Sequence, residues 1–333
     1  VDSDFLVLGS GIAGLSAARA LSALGRVAVV TKDELMRSNS TYAQGGIAAV
    51  TDPTDSFESH VKDTLEAGAG HCREDVVRTI VSDGPACVKR LIEAGVRFSG
   101  GDDGPDLGLE GGHSKRRVLH AGDATGREIG RVLWNLVAAL RGVEIVAHAL
   151  VTRLIVDGPH VVGASFVDPD GTSHEIHAKA TLLATGGAGQ VFRETTNPGV
   201  ATGDGIALAY HAGAGVADLE FVQFHPTALN LPGVPRFLIS EALRGEGARL
   251  VNCHREAFMS RFHPDADLAP RDIVARSIMR EADSTGGDIF LTLAHLDPTY
   301  VVERFPTIAD MCRRVGLDLA RDPIPVGPAA HYI

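Results

Sequence analysis

Residues 5–30, FLVLGSGIAGLSAARALSALGRVAVV, constrain the fold more than any other part of this chain. An apolar run over 5–8 leads into Gly9-Ser-Gly11-Ile-Ala-Gly14, a helical pattern follows to Leu24, Gly25 stops it, and a second apolar run covers 27–30. This order predicts a β-α-β unit. Gly9 permits the tight turn, Gly11 lets backbone approach a pyrophosphate, and Gly14 lets the helix lie close against the strand. The helix N-terminus adds free N–H groups and a partial positive charge, so a dinucleotide is expected there. The acidic residue that would hold a ribose 2′-hydroxyl after the second strand is replaced by Thr31 and Lys32, with Asp33 arriving late. That counts against NAD, which the glycines alone would also admit. Lys32 is expected either to meet a phosphate or to be solvated.

Further along, Ile129, Val132, Leu133, Leu136, Val137 and Leu140 recur at helical spacing and predict an amphipathic helix ending near Gly142. Strand-like runs over 143–146, 154–156, 161–167 and 176–183 are broken by Asp157-Gly158 and Pro169-Asp170-Gly171 turns. The last of them runs into Thr185-Gly186-Gly187, where backbone can lie against a flat ligand. Near Glu220 the composition shifts to a stretch dense in His, Pro and Arg, which reads as a domain boundary; a length of 333 residues is also what two domains require.

A net charge of −11 argues against a nucleic-acid or anionic-membrane partner, and the longest basic run, Lys115-Arg116-Arg117, reads as a solvated face. Cys72, Cys87, Cys253 and Cys312 stand far apart with no C-x-x-C pair, so neither a metal site nor a disulfide framework is expected. No stretch approaches the ~20 apolar residues of a membrane span, and no basic region leads an apolar one. A cytoplasmic location is expected.

From Asn39 the chain reads NSTYAQGGIAAV, with hydroxyls, an amide and paired glycines ahead of an apolar tail. Together with ATGGAG, GDGIALAYHAG, FVQFHPTAL, EALRGEGA and APRDIVAR, this segment resembles the flavoprotein family of succinate dehydrogenase, fumarate reductase and L-aspartate oxidase. Within that family, STYAQGGIAAV, EGGHSKRRVLHAGDATGRE and PAAHY are most similar to the L-aspartate oxidase branch. The resemblance implies an α/β fold: a Rossmann-like FAD-binding domain over 1–220 with an inserted α+β capping domain over 221–333. It also implies that the final strand of the flavin domain and a helical C-terminal domain lie beyond 333. On that expectation the 333-residue chain alone binds FAD poorly and turns over little. Ile333 departs from the small or hydroxyl residue the pattern places there.

Site residues follow by resemblance. Gly9, Ser10, Gly11, Ile12, Ala13, Gly14, Lys32, Asn39, Ser40, Thr41, Tyr42, Ala43, Gln44, Gly45, Gly46 and Asp204 are expected to contact FAD. Members that attach FAD covalently do so through a histidine at the position of Asn39; an amide has no nucleophilic ring nitrogen, so FAD is expected to be noncovalent. Arg271 corresponds to the catalytic arginine, with Glu241 and Arg244 as the proton pathway that serves it. Gln223, His225, Ser240 and His331 are expected to bind substrate, the serine replacing a threonine with its hydroxyl retained. Glu110 stands where the dicarboxylate enzymes carry an uncharged residue, and its carboxylate could pair with the α-ammonium of aspartate; the alternative is a solvated loop glutamate. Arg271 is notable on local grounds too, because Pro270 places it in a first helical turn, where the helix dipole disfavours a cation.

The implied reaction is hydride transfer from Cα of L-aspartate to the flavin, giving iminoaspartate, with O2 or fumarate as electron acceptor. L-aspartate or fumarate is the expected ligand, and quinolinate synthase on the route to NAD is the expected recipient of the product. A fumarate reductase or succinate dehydrogenase activity, and an inactive fragment, are the alternatives.

Overall fold

The computed structural model describes residues 2–34, 36–101 and 104–332, so Ile333 lies outside the described residues. The chain forms two compact units, one of 1–43, 126–222 and 332–333, the other of 44–125 and 223–331.

The first unit is built on a six-stranded sheet in the order Val143–Val146, Val27–Val30, Asp2–Leu8, Ser173–Leu183, His160–Val167, Leu150–Asp157. The first four strands pair in parallel and the last two join by antiparallel pairing. All four residues of Val27–Val30 are buried, as expected of a strand inside a parallel sheet. The predicted β-α-β unit is present as Asp2–Leu8, Ile12–Leu21 and Val27–Val30, and the four strand-like runs are strands. Two glycines make the crossing geometrically possible. Gly9 has φ +112°, and a Cβ there would lie 2.2 Å from the carbonyl oxygen of Ala184. A Cβ on Gly14 would lie 1.9 Å from the carbonyl oxygen of Gly9, so the helix can start only where side chains are missing. The amphipathic pattern gives the helix Thr125–Ala138, with Ile129, Val132, Leu133 and Val137 buried.

The second unit has a four-stranded sheet, Gln223–Leu229, Ile324–Tyr332, Ile289–Thr292, Arg249–Val251, and a small three-stranded sheet, Ile47–Ala48, Val118–Leu119, Leu107–Gly108. Its core gathers Leu229, Ile239, Leu243, Leu250, Phe258, Val274, Leu291, Phe305 and Ile308, each fully buried, around the helices Arg271–Thr285, Pro298–Arg304 and Pro306–Arg314. The last segment of the second unit begins at 223. The first domain does not run unbroken to 220, however, because 44–125 belongs with 223–331. Specific bonds explain that grouping: the Asp123 carboxylate accepts from the backbone N–H groups of Thr307 and Ile308 at 3.1 and 2.8 Å, and Arg304 donates to the carbonyl of Gly122 at 3.0 Å. Among the described residues no helix is long and apolar enough to cross a membrane, and no cluster of side chains could hold a metal ion.

Candidate active site

In the first unit the strand ends and the helix Ile12–Leu21 enclose a cavity of about 320 Å³, within the usual range for ligand sites. Gly9, Ser10, Gly11, Ile12, Ala13, Lys32, Asn39, Ser40 and Asp204 line it, nine of the residues expected to meet the cofactor. Gly14 is not in the lining; it packs beneath Gly9. Thr41, Tyr42 and Ala43 belong to the first unit outside that lining, and Gln44, Gly45 and Gly46 belong to the second unit. Thr185 and Gly186 line the cavity, in keeping with the glycines at the strand end. Arg37 and Ser38, which precede Asn39, line it as well, and so do Ala149, Val151, Val200 and Ala201, which were not anticipated because single small or apolar residues leave no pattern in a sequence.

Three observations bear on whether FAD fits. The backbone N–H of Ile12 sits at the helix N-terminus, 3.2 Å from Ser40 Oγ, in a wall kept open by Gly9 and Gly11. The buried Oδ1 of Asn39 has no hydrogen-bond partner within the protein, which leaves an acceptor for a bound ligand. Lys32 is half-buried and not an isolated cation: it pairs with Asp204, whose carboxylate also accepts from Thr202 Oγ1 at 2.6 Å. Burial pushes the Asp204 carboxyl up, but the Lys32 and Thr202 hydrogen bonds outweigh it and hold it below the usual carboxylate range. The residues present fit FAD, and Asn39 at the start of the short helix Asn39–Tyr42 offers no nucleophile for a covalent bond.

The second unit brings the predicted substrate residues together. Pro270 is the N-cap of the helix Arg271–Thr285 rather than its first residue, which leaves Arg271 in the first turn as read. Its Nε donates to Glu241 Oε2 at 2.5 Å, Nη1 donates to Gln223 Oε1 at 2.9 Å, and Nη2 lies 3.8 Å from Glu110 Oε2. The cation in a dipole-disfavoured position is therefore held by two carboxylates and an amide. Arg244, fully buried, donates Nη2 to Glu241 Oε1 at 2.8 Å and Nη1 to the carbonyl of Asp267 at 2.5 Å. Glu241 is 3% exposed and has a guanidinium on each oxygen; burial raises its pKa, but Arg244 and Arg271 reverse the effect and keep it ionised.

Glu110 is not a solvated loop residue. Its side chain is 15% exposed, and burial, reinforced by the charge of Glu241, raises its pKa to about 7 despite the opposing pull of Arg271. His225 and His331 meet edge to face at 5.2 Å between ring centroids. Burial and then the Arg271 charge hold His225 well below the ordinary imidazole range, and the same two causes take His331 down to about 4. Both rings are neutral at pH 7. His225 Nδ1 accepts from the backbone N–H of Thr227 at 3.2 Å, which leaves Nε2 as the donor. Ser240 is buried next to Glu241, and its Oγ accepts from the N–H of Ala242 at 3.2 Å. The basic triplet needs a correction: Arg117 is completely buried, because Asp55 and Asp63 neutralise it.

Comparison with known proteins agrees with this geometry. The family model for an FAD binding domain matches residues 4–333. The L-aspartate oxidase of Synechocystis sp. is 49% identical over 99% of this chain and 61% of its own length, and that of Streptomyces coelicolor is 48% identical over 100% of this chain and 59% of its own. A solved structure of an E. coli quinol fumarate reductase superposes with a TM-score of 0.92 at 33% identity, covering 99% of this chain and 60% of that one. The chain thus spans about three-fifths of the length of these relatives.

Proposed function

We propose, since the chain belongs to the FAD-binding domain family, that it carries the flavin cradle and the substrate cluster of an enzyme oxidising L-aspartate to iminoaspartate. The observation that carries this reading is a carboxylate beside the site's arginine, Glu110 at 3.8 Å from Arg271. A ligand with two carboxylates and nothing else would meet repulsion from an ionised Glu110, whereas an α-amino acid presents an ammonium for it.

The chain's own residues divide the work. Arg271 supplies the fixed positive charge for a carboxylate, and the neutral His225 and His331 supply donors that do not titrate near neutral pH. Gln223 holds the Arg271 fork from one side and Glu241 from the other, so the guanidinium is oriented before ligand arrives. Arg271, Glu241 and Arg244 form an unbroken hydrogen-bonded run, along which a proton given up or taken at the Arg271 guanidinium can be replaced. In the first unit Gly9 to Ala13, Asn39 and Ser40 would hold the dinucleotide, with Lys32 and Asp204 fixing the wall beside it. Bound noncovalently there, FAD supplies the two-electron acceptor.

The names of the relatives support this reading of substrate; a place before quinolinate synthase on the way to NAD, O2 or fumarate as terminal acceptor and the cytoplasm as compartment are part of the proposal and extend beyond those names. The domain roles follow: the first unit binds flavin and the second caps and binds substrate. Anaerobic bleaching of the oxidised flavin band by L-aspartate tests the proposal. Aspartate is expected to bleach the parent and to do so poorly in Glu110→Gln, with succinate ineffective in the parent. Equal bleaching by succinate would establish the fumarate reductase or succinate dehydrogenase alternative instead.

A further inference from the structure

Arg117 and Arg244 are the largest fully buried side chains among the described residues of the second unit, and the surroundings of Arg117 lead to Glu110. Its Nε and Nη2 donate to the two oxygens of Asp55 at 2.8 and 2.9 Å, and Nη1 donates to Asp63 Oδ2 at 2.5 Å. The same Asp63 oxygen accepts from both the backbone N–H and the Oγ of Ser114, each at 2.8 Å. His113 Nδ1 lies 3.3 Å from Arg117 Nη1, and since a guanidinium only donates, this ring nitrogen accepts. His113 closes a turn by donating its N–H to the carbonyl of Glu110 at 3.2 Å, and Gly112 donates to the carbonyl of Leu268 at 3.3 Å. One end of the segment 110–114 is therefore tied to a buried ion cluster and the other end carries the carboxylate beside Arg271. Gly45 limits that carboxylate as well, since a Cβ there would lie 2.8 Å from Glu110 Oε1.

A buried guanidinium with two carboxylates is weak evidence for added stability, because desolvation offsets much of the attraction. Its consequence here is geometric. We propose that Asp63, held by Arg117, is a positioning residue that fixes the segment 110–114 so that Glu110 receives the ammonium of an α-amino acid ligand; this rests on the function proposed above.

Calorimetric affinities of the FAD-loaded protein for L-aspartate and succinate test it, read as the ratio of the two. Asp63→Asn cannot serve Ser114 and Arg117 with one charged oxygen, and the ratio is expected to fall about tenfold, the size of one lost charged hydrogen bond, with succinate affinity kept and amide exchange at 112–114 accelerated. Ser114→Ala, which leaves the ion cluster whole, is expected to lower the ratio less and serves if Asp63→Asn does not fold. In a Glu110→Gln background neither change should alter the ratio further. Equal weakening of both ligands, an unchanged ratio, or full additivity with Glu110→Gln would overturn the inference alone. A ratio untouched by Glu110→Gln itself would overturn this inference and the functional reading together.

Discussion

A carboxylate that must be charged to bind an ammonium sits, in Glu110, where burial and then Glu241 keep it protonated up to about pH 7. The sign of the linkage is fixed by that shift. A folded-state pKa above the unfolded value near 4.5 means that proton binding stabilises the fold, fully below about pH 4.5, with the contribution lost as pH rises through about 7. Relative to Glu110→Gln, the parent should be more stable at pH 5 than at pH 8 by up to about 3 kcal/mol, measurable by urea unfolding. Ligand binding should show the same group with opposite signs for two ligands. Affinity for L-aspartate should rise with pH up to about 7, by up to tenfold per unit, while that for succinate should fall as pH rises beyond about 7, and both trends should vanish in Glu110→Gln. The residue pattern alone left open whether Glu110 was solvated. Its environment depends on Gly45, Glu241 and Arg271, which stand up to 161 positions away, and no local signal encodes such neighbours.

At the scale of elements, the glycine pattern was legible because its steric demand is local. Gly14→Ala is expected to drive a methyl into the carbonyl oxygen of Gly9, so fluorescence titration should find FAD binding lost. Retained affinity would show that the helix can shift. The strands over 143–183 were readable for the same reason, as turn residues and alternation lie within a few positions. The placement of 44–125 was not, because what ties it to the second unit is a set of long-range bonds such as Asp123 to the start of the helix Pro306–Arg314. A helix with Pro at its first position and Phe305 as cap has no side-chain acceptor of its own there, and Asp123 supplies it from 184 positions earlier. Asp123→Ala should cost about 1–2 kcal/mol of the second unit's stability, with Asn restoring most of it, as thermal unfolding can report. The Lys115-Arg116-Arg117 triplet shows the same blindness: its charge count was plain, but Asp55 and Asp63, which bury its last member, are over 50 residues away.

For the molecule as a whole, a net charge of −11 has to be reconciled with the proposed acidic ligand. Both site imidazoles are neutral at pH 7, so the local charge comes from Arg271 and Arg244 against Glu241, a surplus of one positive charge while Glu110 is protonated and none once it ionises. An ammonium-bearing dicarboxylate is the ligand that keeps an ionised Glu110 satisfied. The most direct measurement is therefore the ratio of L-aspartate to succinate affinity at pH 8 in the FAD-loaded parent and in Glu110→Gln. A strong preference for aspartate in the parent that collapses by about tenfold or more in the variant is the predicted result. An equal preference in both proteins, or tighter binding of succinate by the parent, would contradict the assignment of this site to an amino-acid substrate.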